Sequence, residues 1–284
     1  MKRRTGNIVL ATLLAVSNGC APSAPPQKPV VRVAVIGGMV MTGMWQELAR
    51  QYETNTGCRV KLVAAGPKPV LVEAFHKGEA DLLTMHSSDE ATDLVADGYA
   101  AGMRPWARNE LVIVGPPDDP AHVKGMTDGA AALKKIAAAH APFVDFHDPG
   151  SRQVAARLWH KVGFEPQGDW VLKDESKIRQ EVVTFAEKHH AYVIVGRIPV
   201  LKGKMESGSM QILVEGDPDM RRPFVVMIAN AKRFPKANVS GAQALADYLT
   251  SEKGQQFLKD YAAKQPDGVP LFYPIGDDAP PGHS

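Results

Sequence analysis

The sequence predicts an α/β protein of two lobes, each with a mostly parallel sheet flanked by helices. The β-branched run Val30–Ile36 breaks at Gly37 and Gly38 and is followed by apolar residues at helical spacing. Short apolar runs then alternate with helical segments, which is typical of parallel sheets covered on both faces. Towards the end, two apolar runs have only a turn between them, which indicates a return crossing between lobes.

The elements follow in order along the chain. The first strand leads through Gly37 and Gly38 into a helix that ends at Gly57. Further strands are expected at these apolar runs: 61–64, 81–85, 111–114, 142–146, 191–195, 210–214 and 224–229. Two helices, at residues 242–249 and 255–262, close the fold.

The first residues indicate export. A basic start at residues 2–4 precedes an apolar run, 8–16, that is too short to remain in a bilayer as a spanning helix. Cys20 follows small residues, so a lipoprotein signal peptide is expected over residues 1–20, with a Pro-rich linker over residues 21–29. The residue three places before the cysteine is a serine rather than the usual aliphatic one, so simple signal cleavage is the alternative. We expect a protein of the periplasm or cell surface, lipid-anchored through Cys20.

Composition excludes several classes of partner. The 33 Lys and Arg residues nearly balance the 31 Asp and Glu residues, and no long basic run suggests nucleic acid. With Cys20 acylated, Cys58 has no partner for a disulfide and is interpreted as a small buried group. No later stretch could span a membrane, so membrane contact is expected through the lipid anchor only. No nucleophile or metalloprotease signature is present, so we expect neither an enzyme nor a bound cofactor or metal.

Four segments carry a resemblance to a known family: 111–120, 141–144, 213–218 and 249–255. They resemble the tungstate-binding periplasmic proteins of ABC transporters, and the resemblance runs in register from about Val31 to Pro274. It implies a type II periplasmic binding protein fold, with lobe I from residues 30–110 and 225–284 and lobe II from residues 111–224. It also implies a function, in which a monomer captures tungstate or molybdate between its lobes and delivers it to an ABC permease.

The resemblance further implies where the oxyanion binds. In that family the anion is held by a hydroxyl-rich turn after the first strand, a Ser-Gly-Thr turn that opens a helix of the second lobe, and a later arginine. The matching positions are Gly37, Gly38 and Thr42 for the first turn, Gly150, Ser151 and Arg152 for the second, Arg197 for the arginine, and His86 at a strand end.

Physical chemistry supports an anion at such turns. A turn that opens a helix presents backbone N–H groups, glycine lets a ligand approach them closely, and arginine donates forked hydrogen bonds. Structural alternatives stay open: Gly37-Gly38 as a simple tight turn, Ser151 as a helix cap, Arg197 in an ion pair, and His86 as a satisfied polar residue.

Two other ligands are also considered. The altered first turn allows a receptor or sensor for another small anion, such as an organic carboxylate, in a cleft lined by Met39, Met41 and Met44. The same methionines, with Met85 and His86, are ligand types that select copper(I).

Overall fold

The computed structural model describes residues 29–262, 264 and 270–276. The strands in this part are β1 (Val30–Ile36), β2 (Arg59–Gly66), β3 (Leu82–His86), β4 (Ala100–Gly115), β5 (Phe143–Asp145), β6 (Val171–Lys173), β7 (Tyr192–Gly196), β8 (Gln211–Val214) and β9 (Arg221–Ala229). The α-helices are α1 (Gly37–Met41), α2 (Met44–Thr56), α3 (Lys68–His76), α4 (Asp89–Ala96), α5 (Gly129–Ala138), α6 (Pro149–Val162), α7 (Val182–Lys188), α8 (Arg197–Leu201), α9 (Val239–Thr250) and α10 (Glu252–Ala262).

The strands pair in the order β2-β1-β3-β9-β4-β7-β5-β6, with β8 against β4. Two parallel groups stand at opposite ends of this order, β2-β1-β3 and β7-β5-β6. Strands β9 and β4 run antiparallel to their neighbours and join the two groups, and β8 pairs antiparallel with β4 off this path. The predicted two-lobed α/β fold is confirmed.

The long strand β4 passes from one sheet to the other. Its first part pairs with β9 as far as Glu110, which lies opposite Arg221. Its last part pairs with β7 from Leu111, which lies opposite Gly196. The chain returns through the turn between β8 and β9, as the sequence predicts. The two sheets are therefore joined by continuous strands, a connection at which lobes can rotate against each other.

Each sheet has its own core. In the first, β1, β3 and β9 pack against α2, α3, α9 and α10, and Trp45 meets Trp106 edge-on with ring centroids 6.4 Å apart. The second sheet is covered on both faces, by α5 and α6 around Leu133 and Leu158 and by α7 through Val182. Covering on two faces is what near-continuous apolar strands require.

Helix α6 has clear local signals at both ends. Asp148 caps its start by accepting a hydrogen bond from the Ser151 backbone N–H at 3.0 Å, and Pro149 occupies the first turn. Gly163, with φ of 70°, ends it. The first turn of α6 is thereby held in a fixed position at the end of β5.

Cys58 is buried and free of disulfides, as expected, and burial raises the pKa of its thiol. No described helix is long and apolar enough to cross a membrane. The predicted signal peptide and the linker up to residue 28, Cys20 included, lie outside the described residues.

Candidate functional site

The first turn of α6 lies directly against Arg222, near the start of β9. A β-carbon on Gly150 would overlap the Arg222 guanidinium group, so glycine is required for this contact. The guanidinium of Arg222 makes no hydrogen bond or ion pair with another residue that the structure describes, whereas its backbone pairs with Asn109 in the sheet. Burial lowers the pKa of Arg222, and neighbouring Arg179 lowers it further, while Asp148 raises it. No carboxylate among the described residues therefore bonds the Arg222 guanidinium directly, although Asp148 lies near it.

Asp148 and Arg179 form an ion pair at the same helix end. The Arg179 Nε donates to Asp148 Oδ1 at 2.7 Å, while the other carboxylate oxygen caps α6. Burial alone would raise the pKa of Asp148, but Arg179, the helix N–H and Arg222 together lower it. Asp148 is thus a carboxylate whose charge is already balanced by Arg179 and the helix.

His86 lies at the end of β3 beside these cations. Its Nε2–H donates to the Asn109 side-chain oxygen at 3.0 Å, and its ring packs on Phe224 with centroids 4.2 Å apart. Burial first, and then the charge of Arg222, lower the pKa of His86 to about 3, although the Asn109 bond raises it. The imidazole is therefore neutral at neutral pH, and the positive charge here belongs to lysine and arginine.

Three cations surround His86, and we call Arg222, Arg179 and Lys68 the cationic cluster. Each of them lowers the pKa of His86 through its charge. Lys68 begins α3 and pairs at 3.1 Å with Glu90, whose carboxylate is half-exposed. The three side chains come from β9, from the start of α3 and from the single turn Arg179–Glu181 that precedes α7.

The predicted first turn packs near the start of α3, the helix that carries Lys68 of the cationic cluster. Gly37 packs against the backbone of Gly66, two residues before Lys68 begins α3, while the space beside Gly38 is open to at least 4 Å. Thr42 closes α1, because its hydroxyl donates to the carbonyl of Gly38 at 3.0 Å. The hydroxyl of Thr42 is thus used inside the turn.

Ser151 and Arg152 have structural contacts of their own. Ser151 is buried and lines a small cavity of about 10 Å³ next to Phe143. Arg152 is exposed and binds both carboxylate oxygens of Asp145, at 3.2 and 3.1 Å. Of the predicted second turn, Gly150 is the residue that contacts the cationic cluster.

Arg197 lies in a buried charged network at the joint between the sheets. Its side chain is 3% exposed, and its Nε donates to Glu215 at 2.7 Å. Its charge also acts on the buried Glu110, which accepts a hydrogen bond from Tyr273 at 2.9 Å. Arg221 lies 3.7 Å over the ring of Tyr273. The ion-pair interpretation of Arg197 therefore describes its contacts, and a ligand role for it stays a prediction.

The expected methionine-lined cleft is wrong. Met39, Met44 and Met85 are fully buried in the core of the first sheet, and only Met41 of this set is exposed. The apolar side chains of α1 and β3 point into the core, where they fill space and are removed from water. No group of three or more His, Cys, Asp and Glu residues in the described segments could hold a metal. Burial of Met39, Met44 and Met85 in the core leaves Met41 as the exposed methionine among the ligands considered for copper(I).

Sequence reasoning missed Arg222, Arg179 and Lys68. Arg222 carried a signal, since it follows a turn and opens a strand between two predicted lobes. Arg179 and Lys68 follow no apolar run of their own, so only tertiary structure brings them to His86.

The chain matches one protein family over most of its length. The sequence model of the family described as "Bacterial extracellular solute-binding protein" matches residues 31–262. A relative from Peptoclostridium acidaminophilum, named tungstate-binding protein TupA, is 29% identical over 96% of this chain and 99% of its own length.

Two solved structures are similar in fold. The tungstate-binding protein TupA from Desulfovibrio alaskensis G20 superposes with a TM-score of 0.69 at 26% identity, over 87% of this chain and 98% of that one. A structure titled as the tungstate ABC transporter from Geobacter sulfurreducens gives a TM-score of 0.65 at 26% identity, over 82% of this chain and 98% of that one.

Proposed function

The chain belongs to the family of bacterial extracellular solute-binding proteins, and on that premise we propose that it captures a small oxyanion of the tungstate or molybdate type. In this proposal the anion lies between lobe I, residues 30–110 and 225–284, and lobe II, residues 111–224. An ABC permease then receives it. The similarity to tungstate-binding proteins over nearly the whole chain supports this choice of ligand.

One observation carries the proposal from the structure itself. Arg222 lies against the first turn of α6, a helix of 14 residues, with Arg179 and Lys68 close to the same histidine. The backbone N–H groups of a first turn carry partial positive charge, and the carboxylate there, Asp148, is already shared between the helix cap and Arg179, so a second anion is favoured beside Arg222. An oxyanion there accepts charge-assisted hydrogen bonds from Arg222 and polar contacts from the helix turn.

The same arrangement couples binding to closure. Gly150 belongs to lobe II in the proposed division, whereas Gly37, Gly38 and His86 belong to lobe I. A ligand that contacts both lobes stabilises the state in which they are close together, because only that state supplies every donor. We assign Gly37, Gly38, Gly150 and Arg222 to the ligand, and Arg197 as a further contact at the joint.

Three finer features belong to the same proposal. Acylation of Cys20 anchors the exported chain to the membrane, the protein works as a monomer, and it returns its ligand chemically unchanged. Family membership supports export and a partner permease.

Native mass spectrometry and elemental analysis of protein purified from its own source test the ligand directly. We expect one tungsten or molybdenum per chain, and a higher melting temperature on adding tungstate to stripped protein, because a ligand that binds only the folded state stabilises it. A bound organic acid, with no shift by any tetrahedral oxyanion, would favour the carboxylate receptor instead.

A further inference from the structure

A groove with positive side chains lies where β1 and β2 begin. It has a volume of about 470 Å³ and is lined by Val30, Arg32, Arg59, Lys61, Asp81, Lys236 and Asn238. Because the two strands are parallel, this groove is at the opposite end of β1 from Gly37. It is therefore separate from the cationic cluster and from the proposed oxyanion site.

The single carboxylate of the groove is already neutralised. Asp81 accepts hydrogen bonds from the Arg32 guanidinium at 2.5 and 3.2 Å and from the Asn238 backbone at 3.0 Å. This leaves Arg59, Lys61 and Lys236, all exposed and in no ion pair within the described residues. We call these three residues the basic patch. Its charge is not compensated by the groove.

The patch is assembled from separate segments. Arg59 and Lys61 lie on β2, opposite Val30 and Arg32, so the four side chains share one face. Positive residues on an edge strand such as β2 also prevent pairing with other sheets. Lys236 comes from the loop before α9, so protection of the edge strand does not explain its position. It adds a third positive charge to the surface formed by Arg59 and Lys61.

The patch also marks the point where the N-terminal segment joins the fold. Val30 lines the groove, and eight residues lie between Cys20 and Pro29, a span of at most about 30 Å. A chain anchored at Cys20 therefore holds the basic patch within reach of the bilayer surface.

We propose that the basic patch binds the phosphate headgroups of anionic phospholipids. The surface potential of an anionic bilayer attracts lysine and arginine side chains that reach it. Binding in this way directs the groove end of lobe I towards the membrane and the ligand-binding end of β1 away from it. The proposal goes beyond solute capture, since it holds whichever anion the cleft binds.

Vesicle sedimentation tests this with the chain from residue 21 onward, which retains every described residue but no acyl group. We compare vesicles that mix phosphatidylglycerol with phosphatidylcholine and vesicles of phosphatidylcholine alone. Binding is expected only to the mixed vesicles and is expected to weaken as salt rises. The triple variant Arg59→Gln, Lys61→Gln, Lys236→Gln should lose about 100-fold in partitioning, at about 5-fold per residue.

A control variant removes the same number of positive charges elsewhere. It carries Lys134→Gln, Lys188→Gln and Lys253→Gln, at three exposed lysines on helices. Its binding to mixed vesicles should remain close to that of the unmodified chain. Equal losses in both variants, or no binding of the unmodified chain to mixed vesicles at low salt, would overturn the proposal. The melting temperature without tungstate reports whether each variant is folded, and its shift on adding tungstate reports solute binding. Loss of vesicle binding can therefore be told apart from loss of solute binding.

Discussion

The guanidinium group of Arg222 lies against the backbone of Gly150, in the first turn of α6. The backbone N–H groups of this turn carry partial positive charge, and Asp148, the carboxylate at this helix end, already bonds the Ser151 N–H and Arg179. A bound anion would be attracted both by the helix end and by Arg222. A β-carbon at position 150 would overlap the Arg222 guanidinium and displace it from this contact.

Arg197→Ala is expected to lower both stability and ligand affinity. The substitution removes the partner of Glu215 and a positive charge beside the buried Glu110. We expect a loss in unfolding free energy of about 1–3 kcal/mol, because Glu215 is partly exposed to solvent. Ligand affinity should fall by about 2 kcal/mol. Denaturant unfolding and calorimetric titration measure the two effects, and unchanged affinity would remove Arg197 from the ligand contacts.

Gly38→Ser is expected to strengthen oxyanion binding. The space beside Gly38 is open, so a hydroxyl can be added without a clash. One neutral donor contributes about 0.5–1.5 kcal/mol, so affinity for tungstate should rise by roughly 2- to 10-fold. Gly102→Ser, at another open glycine on β4, serves as the control. Nanomolar tungstate binding by the unmodified chain would contradict the view that its glycine turn weakens the site.

His86 is expected to make stability depend on pH. Its pKa is lowered to about 3 in the folded chain, whereas the unfolded chain binds a proton near the ordinary value of 6.5. Between these values the unfolded state holds more protons, so stability falls as pH is lowered, by at most about 1.4 kcal/mol per pH unit. Urea titrations from pH 7 to 4 should show a smaller slope for His86→Gln. An equal slope would mean that His86 is protonated in the fold.

Cys20→Ser is expected to release the protein from the membrane fraction. The cysteine thiol is the group to which lipid would be attached, and serine cannot take its place in thioether chemistry. Growth with labelled fatty acid followed by fractionation shows whether the label and the membrane location disappear together. Absence of label on the unmodified protein would establish simple signal cleavage.

Much of the fold is predictable from local patterns, and the reasons can be seen in single elements. β1 is a β-branched run that ends in glycines, so its bounds at Val30 and Ile36 are correct. The first part of β4 is missed because Arg104 and Pro105 interrupt the apolar pattern there. Its strand conformation comes from pairing with β9, more than 100 residues later. Such pairing has no local signal.

The site is less predictable for the same reason. Gly150 could be found because glycine at a helix start allows close approach, and the structure does place it against a cation. The cation itself is Arg222, 72 positions later along the chain. Sequence reasoning favoured Arg197 because it follows an apolar strand, but it could not show that Glu215 binds it.

Calorimetric titration with tungstate tests the central claim most directly. The unmodified chain should bind one anion, and Arg222→Ala should weaken that binding by roughly 10- to 100-fold, as expected for loss of charge-assisted hydrogen bonds. Arg152→Ala removes an exposed arginine that lies near the start of the same helix and is paired with Asp145. This variant should leave affinity nearly unchanged. No heat of binding with the unmodified chain, or equal affinity in Arg222→Ala, would contradict the account.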